Sequence, residues 1–114
     1  MKIIFIQIII STAVFAQNIN FNSPENIKLF ADYLFCDRDY LRAVDEYGKY
    51  LNYSEDDTVQ FKIALAFSLM DDHTNAIKNF DKLSNESPFY QNSRIEELKS
   101  LFKLKLFSQL SLKV

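Results

Sequence analysis

The fold follows from one stretch, Asp39–Leu51 (DYLRAVDEYGKYL), because its apolar pattern returns further along the chain at Thr74–Leu83 (TNAIKNFDKL). In both stretches an alanine precedes a branched aliphatic residue, an aromatic residue lies four positions after the alanine, and another bulky residue follows three positions later. This spacing places the large side chains on one face of a helix. The copies align Ala43 with Ala76, Tyr47 with Phe80, and Tyr50 with Leu83.

A second pattern precedes each copy by the same distance. A run of residues at helical spacing begins sixteen positions before each alanine. It starts with a bulky or long residue, continues with a bulky and a small one, and ends with another bulky one. Each copy therefore predicts two helices, and the alanines of the two copies are 33 residues apart. The run comprises Ile27, Phe30, Ala31 and Leu34 in the first copy and Gln60, Ile63, Ala64 and Phe67 in the second.

The two copies resemble tetratricopeptide (TPR) repeats, whose period is about 34 residues, and Pro88 falls where the TPR signature ends. The resemblance implies an all-α fold of antiparallel helix hairpins stacked as a short α-solenoid. Two repeats would occupy residues 24–90, and a capping helix with a basic apolar tail would occupy 91–114. Two amphipathic hairpins unrelated to the family are the alternative. The residues expected to pack the repeats are Ala31, Ala43, Tyr47, Ala64, Ala76, Phe80 and Pro88.

Length and composition agree with a single small helical domain. The chain has 114 residues, of which 48% are hydrophobic and 15% aromatic, with one Gly and two Pro. This composition excludes a disordered chain and suits helices joined by short turns. Residues 24–90 carry 13 acidic and 7 basic side chains, whereas residues 91–114 carry 2 and 5. The acidic body argues against binding to nucleic acid, which needs a basic face against the phosphates.

The N-terminus has the pattern of a secretory signal peptide over Met1–Ala16, with a charged start at Lys2, an apolar run and small residues at the end. Cleavage is expected before Gln17, which leaves residues 17–23 as a leader. The apolar run is shorter than the roughly 20 residues that span a bilayer, although an uncleaved membrane anchor is the alternative. The sequence therefore predicts an exported protein, periplasmic or secreted. Its single cysteine, Cys36, is expected to be a buried small residue.

Local signals predict where the helices begin and end. Ser23 and Pro24 suit the start of the first helix as cap and first residue. The spacing of Asp57 to Gln60, and of Ser93 to Glu96, is that of a capping box at a helix start. The expected helices cover 24–36, 40–52, 58–70, 73 or 74 to about 85, and the region from 93 onward.

Candidate catalytic and metal-binding residues are few. Asp71-Asp72-His73 contains the single histidine, but consecutive residues at a helix start point in different directions and make a poor ligand set. Turn and cap residues are the simpler interpretation. Gly48 lies within a helical pattern and does not form a phosphate-binding loop. We therefore expect no enzymatic activity, cofactor or metal, with a dispersed Ser-His-Asp site as the alternative.

The remaining candidate site is a recognition surface. In TPR proteins the face beside the helix-pairing face lines a concave groove that holds a peptide or partner segment, so the resemblance implies a groove here. Aromatic residues mixed with one Lys and one Asp suit an amphipathic or extended segment. Alternatively, the larger apolar members belong to the core. The expected groove residues are Lys28, Asp32 and Phe35 in the first repeat, and Phe61, Leu65 and Ser68 in the second.

The C-terminal segment is both apolar and basic. The last helix carries Ile95, Leu98, Leu101 and Phe102 on an apolar face and is expected to cap the array. Further leucines, together with lysines at 103, 105 and 113, exceed what one amphipathic helix can bury. The tail is therefore expected to contact a second protein, another copy or an anionic membrane surface. A hydrophobic end tucked against the fourth helix is the alternative.

The sequence thus favours an exported protein-protein interaction module, acting as a scaffold or adaptor in an envelope-associated complex. Its expected partner is a protein or a peptide. A self-associating structural protein, or a signal-anchored subunit at a membrane surface, is the alternative.

Overall fold

The described part of the protein is all-α. A computed structural model describes residues 20–112, apart from the side chains of Phe107 and of residues 109–112. The predicted signal peptide and residues 17–19 lie outside the described residues, as do residues 113–114 and the side chains of the last predicted tail leucines. None of the helices within this range is both long and apolar enough to cross a membrane. They are α1 (Pro24–Cys36), α2 (Tyr40–Leu51), α3 (Asp57–Leu69), α4 (His73–Phe80) and α5 (Tyr90–Leu112).

The helices pack in chain order as a stack of hairpins. α1 pairs with α2 and α3 with α4, each across a turn of three residues, which makes the partners antiparallel. α2 then packs on α3, and α4 packs on α5, so each helix contacts its neighbours in the chain. The predicted fold class, an all-α stack of antiparallel helix hairpins, is confirmed.

Two buried clusters hold the stack together. The first joins α1, α2 and α3, and the second joins α3 and α4. Fully buried alanines lie in both clusters, because a small side chain lets paired helices approach closely. The first cluster contains Ala31, Leu34, Ala43, Tyr47, Val59 and Ile63. The second contains Ala64, Ala76 and Phe80.

The same turn closes both hairpins. The chain passes through Arg38 with φ 64° after α1, and through Asp71 with φ 61° after α3. In each turn the amide of the next residue donates to a carbonyl near the helix end at 2.9 Å, which is the Schellman arrangement. Equivalent residues in the two turns are 33 positions apart, so the repeat extends to backbone conformation. The two hydrogen bonds run from Asp39 to Leu34 and from Asp72 to Phe67.

At α3 the predicted capping box is wrong. The cap is Asp56, one residue before the predicted Asp57. Its carboxylate accepts the backbone amides of Thr58 at 3.0 Å and of Val59 at 3.2 Å. The side chain of Gln60, which the box would use, instead donates to the backbone and side-chain oxygens of Asn79, both at 3.1 Å. Gln60 therefore ties α3 to α4 rather than capping its own helix.

Several other local predictions also differ from the structure. α4 ends at Phe80, short of the expected end near residue 85. α5 begins at Tyr90, so Ser93 lies inside the helix, where its hydroxyl donates to the Tyr90 carbonyl at 2.7 Å instead of capping. Pro88 is exposed in the turn before α5, and Cys36 is exposed at the end of α1 rather than buried.

The last helix packs through its polar face. Ser93, Glu97 and Ser100 are buried, whereas the apolar residues predicted to cover the array are 47% to 66% exposed. The prediction that this apolar face caps the stack is wrong. A periodic pattern shows which side of a helix is apolar, but the fit against the neighbouring helix decides which side is buried. The exposed residues are Ile95, Leu98, Leu101 and Phe102.

Arg38→Gly is expected to raise the free energy of unfolding by about 0.5–1 kcal/mol. Glycine adopts a positive φ without the steric cost of a Cβ, and its greater freedom in the unfolded chain offsets part of that gain. Arg38 is exposed and forms no ion pair within residues 20–112. Arg42→Gly, inside α2, is the control and should lower stability by at least about 1 kcal/mol. Urea denaturation measures both, and a destabilised Arg38→Gly would contradict the strain at this turn.

Ala43→Leu and Ala76→Leu are each expected to lower the free energy of unfolding by about 1–3 kcal/mol, because both sites are fully buried between helices. Gly48→Ala is the matched control in α2. A Cβ at position 48 would meet no atom within 4 Å beyond its own stretch of helix backbone and its chain neighbours, so the added methyl should stabilise the helix by about 0.5–1 kcal/mol. Thermal melts that leave both leucine variants unchanged would show that the helices do not meet at these alanines.

Candidate functional site

The predicted groove residues divide into a charged part and an apolar part. α1 carries Lys28, Asp32 and Phe35, and α3 carries Phe61, Leu65 and Ser68. The structure brings Lys28 and Asp32 to α3 or its cap through ion pairs. It does not bring Phe35 and Phe61 together, since each packs against different rings.

The charged part forms a seam across α1, α2 and α3. Lys28 Nζ lies 3.1 Å from the carboxylate of Asp56, and Lys62 Nζ lies 2.8 Å from that of Asp32. The two pairs run in opposite directions, because α1 supplies the base in one and the acid in the other. The charged seam is defined as Lys28, Asp32, Tyr47, Tyr50, Asp56 and Lys62.

Each ion pair of the charged seam is joined by a tyrosine of α2. The hydroxyl of Tyr47 donates to Asp32, and that of Tyr50 donates to Asp56 at 3.3 Å. The ring of Tyr50 also lies 5.4 Å from Lys28 Nζ, and the ring of Tyr47 lies 5.9 Å from Lys62 Nζ. A cation at this distance from an aromatic face is attracted to it. Each pair is therefore an acid, a base and a ring held together.

These contacts keep the seam ionised. Burial alone would raise the pKa of Asp32, but hydrogen bonds from Lys62 and Tyr47 outweigh it and hold the pKa below its usual value. Asp56 behaves in the same way, with burial opposed by Lys28 and by two backbone amides, and its pKa is lowered. The hydrogen bond to Asp56 raises the pKa of Lys28. At neutral pH the seam thus presents fixed charges of both signs.

The apolar part is half-buried and packs against the two core clusters. Phe35 meets the rings of Tyr40 and Tyr47 with centroids 5.4 Å and 6.4 Å away. Phe61 lies between Phe80 at 5.8 Å and Phe89 at 5.4 Å. Leu65 packs against the second core cluster, and Ser68 is half-buried. Phe35, Phe61 and Leu65 therefore contribute to packing while remaining half-buried, and Lys28 and Asp32 keep about a third of their side-chain surface exposed, 34% and 35%.

Sequence reasoning missed Asp56 and Lys62. The structure pairs Lys28 with a residue 28 positions on and Asp32 with a residue 30 positions on. Neither spacing equals the repeat, so no periodic pattern reveals them. Opposite charges on α1 and on the start of α3 are the signal that could have suggested the pairs.

A second polar cluster joins the start of α4 to α5. His73 is buried, with Nδ1 3.2 Å from Ser100 Oγ and Nε2 3.5 Å from the Asp71 carboxylate. A hydrolase triad would place the serine on Nε2 and the carboxylate on Nδ1, whereas here Ser100 lies at Nδ1 and Nε2 forms no hydrogen bond to Asp71. Ser100 is fully buried within α5, so its hydroxyl cannot reach a substrate carbonyl in this conformation. The arrangement holds α5 on α4.

Asp71, Asp72 and His73, which the sequence analysis considered as metal ligands, do not form a shared ligand site. Asp72 caps α4 through the amide of Asn75, and within residues 20–112 no three His, Cys, Asp or Glu side chains are grouped as metal ligands. Comparison with known proteins gives no relative either. No protein-family model matches the chain, and no curated protein or solved structure is significantly similar to it.

Asp32→Asn is expected to lower the free energy of unfolding at pH 7 by about 0.5–1 kcal/mol, a small value because solvent screens this half-exposed pair. The pKa of Asp32 is lower in the folded protein, so its contribution is present above the unfolded pKa and is lost as pH falls through the folded one. The stability gap between wild type and variant should therefore narrow below about pH 4.

Urea titrations from pH 7 to pH 2.5 measure this gap. Asp45→Asn is the control, because Asp45 is exposed on α2 and has no ion pair in the described part of the chain. It should differ little from wild type at any pH. A gap for Asp32→Asn that stays constant with pH would contradict an ionised seam.

Proposed function

We propose that this protein is a small exported interaction module of the TPR type, which binds a protein or peptide as a scaffold or adaptor in an envelope-associated complex. The observation that carries the proposal is the 33-residue repetition, seen in the buried alanines, in the aromatic pair Tyr47 and Phe80, and in the turns at Arg38 and Asp71. Stacked hairpins of this kind create extended surfaces on which partner segments bind. Export is inferred from the predicted signal peptide, Met1–Ala16.

The charged seam supports a partner segment with both charges and apolar side chains. Lys28 and Asp32 each keep part of their surface open while paired to α3 or its cap. A bound segment can extend these pairs into a wider network without leaving a buried charge unpaired, which would be costly. Tyr50 offers a half-buried ring beside Lys28 for an apolar contact.

A self-associating structural role is the second candidate. It is favoured by apolar side chains at both ends of the stack. Leu29 and Tyr33 on α1 are 68% and 63% exposed, and Leu98 and Phe102 on α5 are exposed to a similar extent. Terminal repeats of an isolated solenoid normally show a polar outer face. Sedimentation at several concentrations separates the two roles, since obligate self-association gives a dimer or larger species without any partner.

Lys28→Ala is expected to weaken partner binding by roughly threefold to tenfold while lowering the free energy of unfolding by at most about 1 kcal/mol. The partner is first identified by capture on immobilised protein from an extract of the source organism, and its affinity is then measured by titration. Lys78→Ala is the control, because Lys78 is exposed on α4 and has no ion pair among the described residues. If wild type, Lys28→Ala and Lys78→Ala bind the partner with equal affinity, the charged seam is not part of the binding site.

A further inference from the structure

α5 packs on α4 with the face that corresponds to the one by which α3 packs on α2. Val59 and Ile63 of α3 belong to the first core cluster, where they meet residues of α2. An offset of 34 residues relates them to Ser93 and Glu97 of α5, which are buried as α5 packs on α4. The same offset relates the buried Ala66 to the buried Ser100. α5 is therefore placed as the first helix of a third hairpin.

The face of α5 that corresponds to the α4-facing side of α3 is exposed. On α3 that face packs on α4, with Phe61, Ala64 and Phe67 around the second core cluster. The 34-residue offset relates these positions to Ile95, Leu98 and Leu101, all of which are exposed. Between residues 20 and 112 no helix follows α5 to cover them as α4 covers α3. The outer stripe is defined as Ile95, Leu98, Leu101, Phe102 and Leu106.

Basic side chains lie at the edge of the outer stripe and also within it, since Lys105 follows Leu98 by seven residues on the same face of α5. Lys99 is paired with Glu96 of the same helix at 2.9 Å, whereas Lys103 and Lys105 are exposed and have no ion pair in the described range. Two copies of the stripe facing each other would bring like charges together. An anionic membrane would attract these lysines, but as an extended surface it would also repel the body of the protein, which carries 13 acidic and 7 basic residues over 24–90, whereas a single helix bound on α5 would face mainly the lysines. The charges therefore favour an acidic protein partner.

We propose that the outer stripe binds an amphipathic helix of another protein, laid against α5 as α4 lies against α3. The bound helix carries acidic residues beside Lys103 and Lys105. It carries small residues opposite Leu98, because Leu98 takes the position where α3 has Ala64 and leaves less room. From Ile95 to Leu106 the seat is about 17 Å long, which accommodates roughly three helical turns. This surface is separate from the charged seam, so the inference does not rest on the function proposed above.

Two synthetic peptides test the proposal against the full chain. Both have an apolar face of alanine, leucine and phenylalanine at helical spacing, and they differ in carrying glutamate or lysine along its edges. Fluorescence anisotropy at low salt is expected to show the glutamate peptide binding at least about tenfold more tightly than the lysine peptide. Lys103→Glu with Lys105→Glu should reverse this preference, and added salt should reduce it.

Matched surface variants locate the binding site. Leu98→Ser with Phe102→Ser should weaken the glutamate peptide by about tenfold or more and leave the melt unchanged, because both side chains are largely exposed. Leu29→Ser with Tyr33→Ser removes equally exposed apolar residues from α1 and should leave peptide binding unchanged. This control separates a seat on α5 from nonspecific adhesion of the peptide.

Four outcomes would overturn the proposal. The first is equal binding of the two peptides, and the second is unchanged binding by the Leu98 and Phe102 variant. The third is a dimer in sedimentation that this variant abolishes, which would make a second copy the occupant. The fourth is binding to vesicles of phosphatidylserine and phosphatidylcholine without binding to either peptide, which would make the stripe a membrane contact.

Discussion

The close approach of paired helices at alanine is the constraint on which this structure depends. Ala31 and Ala43 are fully buried within one cluster, and Ala64 and Ala76 within the next. Two helices that approach so closely need a short connection, because a longer loop would not fix their separation and register. In both hairpins the connection is a three-residue turn that reverses the chain through one residue with a positive φ, Arg38 in the first and Asp71 in the second. The steric cost of the positive φ at those residues therefore accompanies the close helix packing at the alanines.

The charged seam follows from that packing. Tyr47 lies with its ring in the first core cluster, and its hydroxyl emerges beside Asp32 at the edge of the cluster. A buried tyrosine hydroxyl needs a partner, and burial together with Asp32 raises the pKa of Tyr47 far above its usual value, so it stays a donor. The partly exposed ion pairs contribute little stability by themselves. Their effect is to fix the register of α1 against α3, since a shift along the helix would separate both pairs.

The first four helices were predictable because their signals are local. Alanine and aromatic spacing indicates the buried faces of α1 to α4, and Ser23 with Pro24 indicates where α1 begins. The cap at Asp56 was misassigned by one residue because the neighbouring Asp57 carries the same side chain. The partners of Lys28 and Asp32 were not predictable, since they depend on how one hairpin lies on the next. For the same reason the sequence could not show that Phe61 packs against Phe89.

The orientation of α5 shows what periodicity alone cannot decide. Serines at 93 and 100 are small enough to let α5 approach α4, and their hydroxyls bond to the Tyr90 carbonyl and to His73. Glu97 is also buried. Burial and the nearby Asp81 raise the pKa of Glu97, the Arg94 guanidinium opposes that rise, and Arg94 bonds to both carboxylates.

Such a polar interface gains less from the hydrophobic effect than the outer stripe would, since one buried leucine or phenylalanine contributes about 1.5–3 kcal/mol. Turning α5 to bury the stripe would, however, place Leu98 and Phe102 where the small serines now pack, and would separate Ser100 from His73 and Arg94 from Asp81. The packing of α4 thus holds the apolar side of α5 outward. Burying that side against a bound partner would therefore still release a favourable hydrophobic free energy.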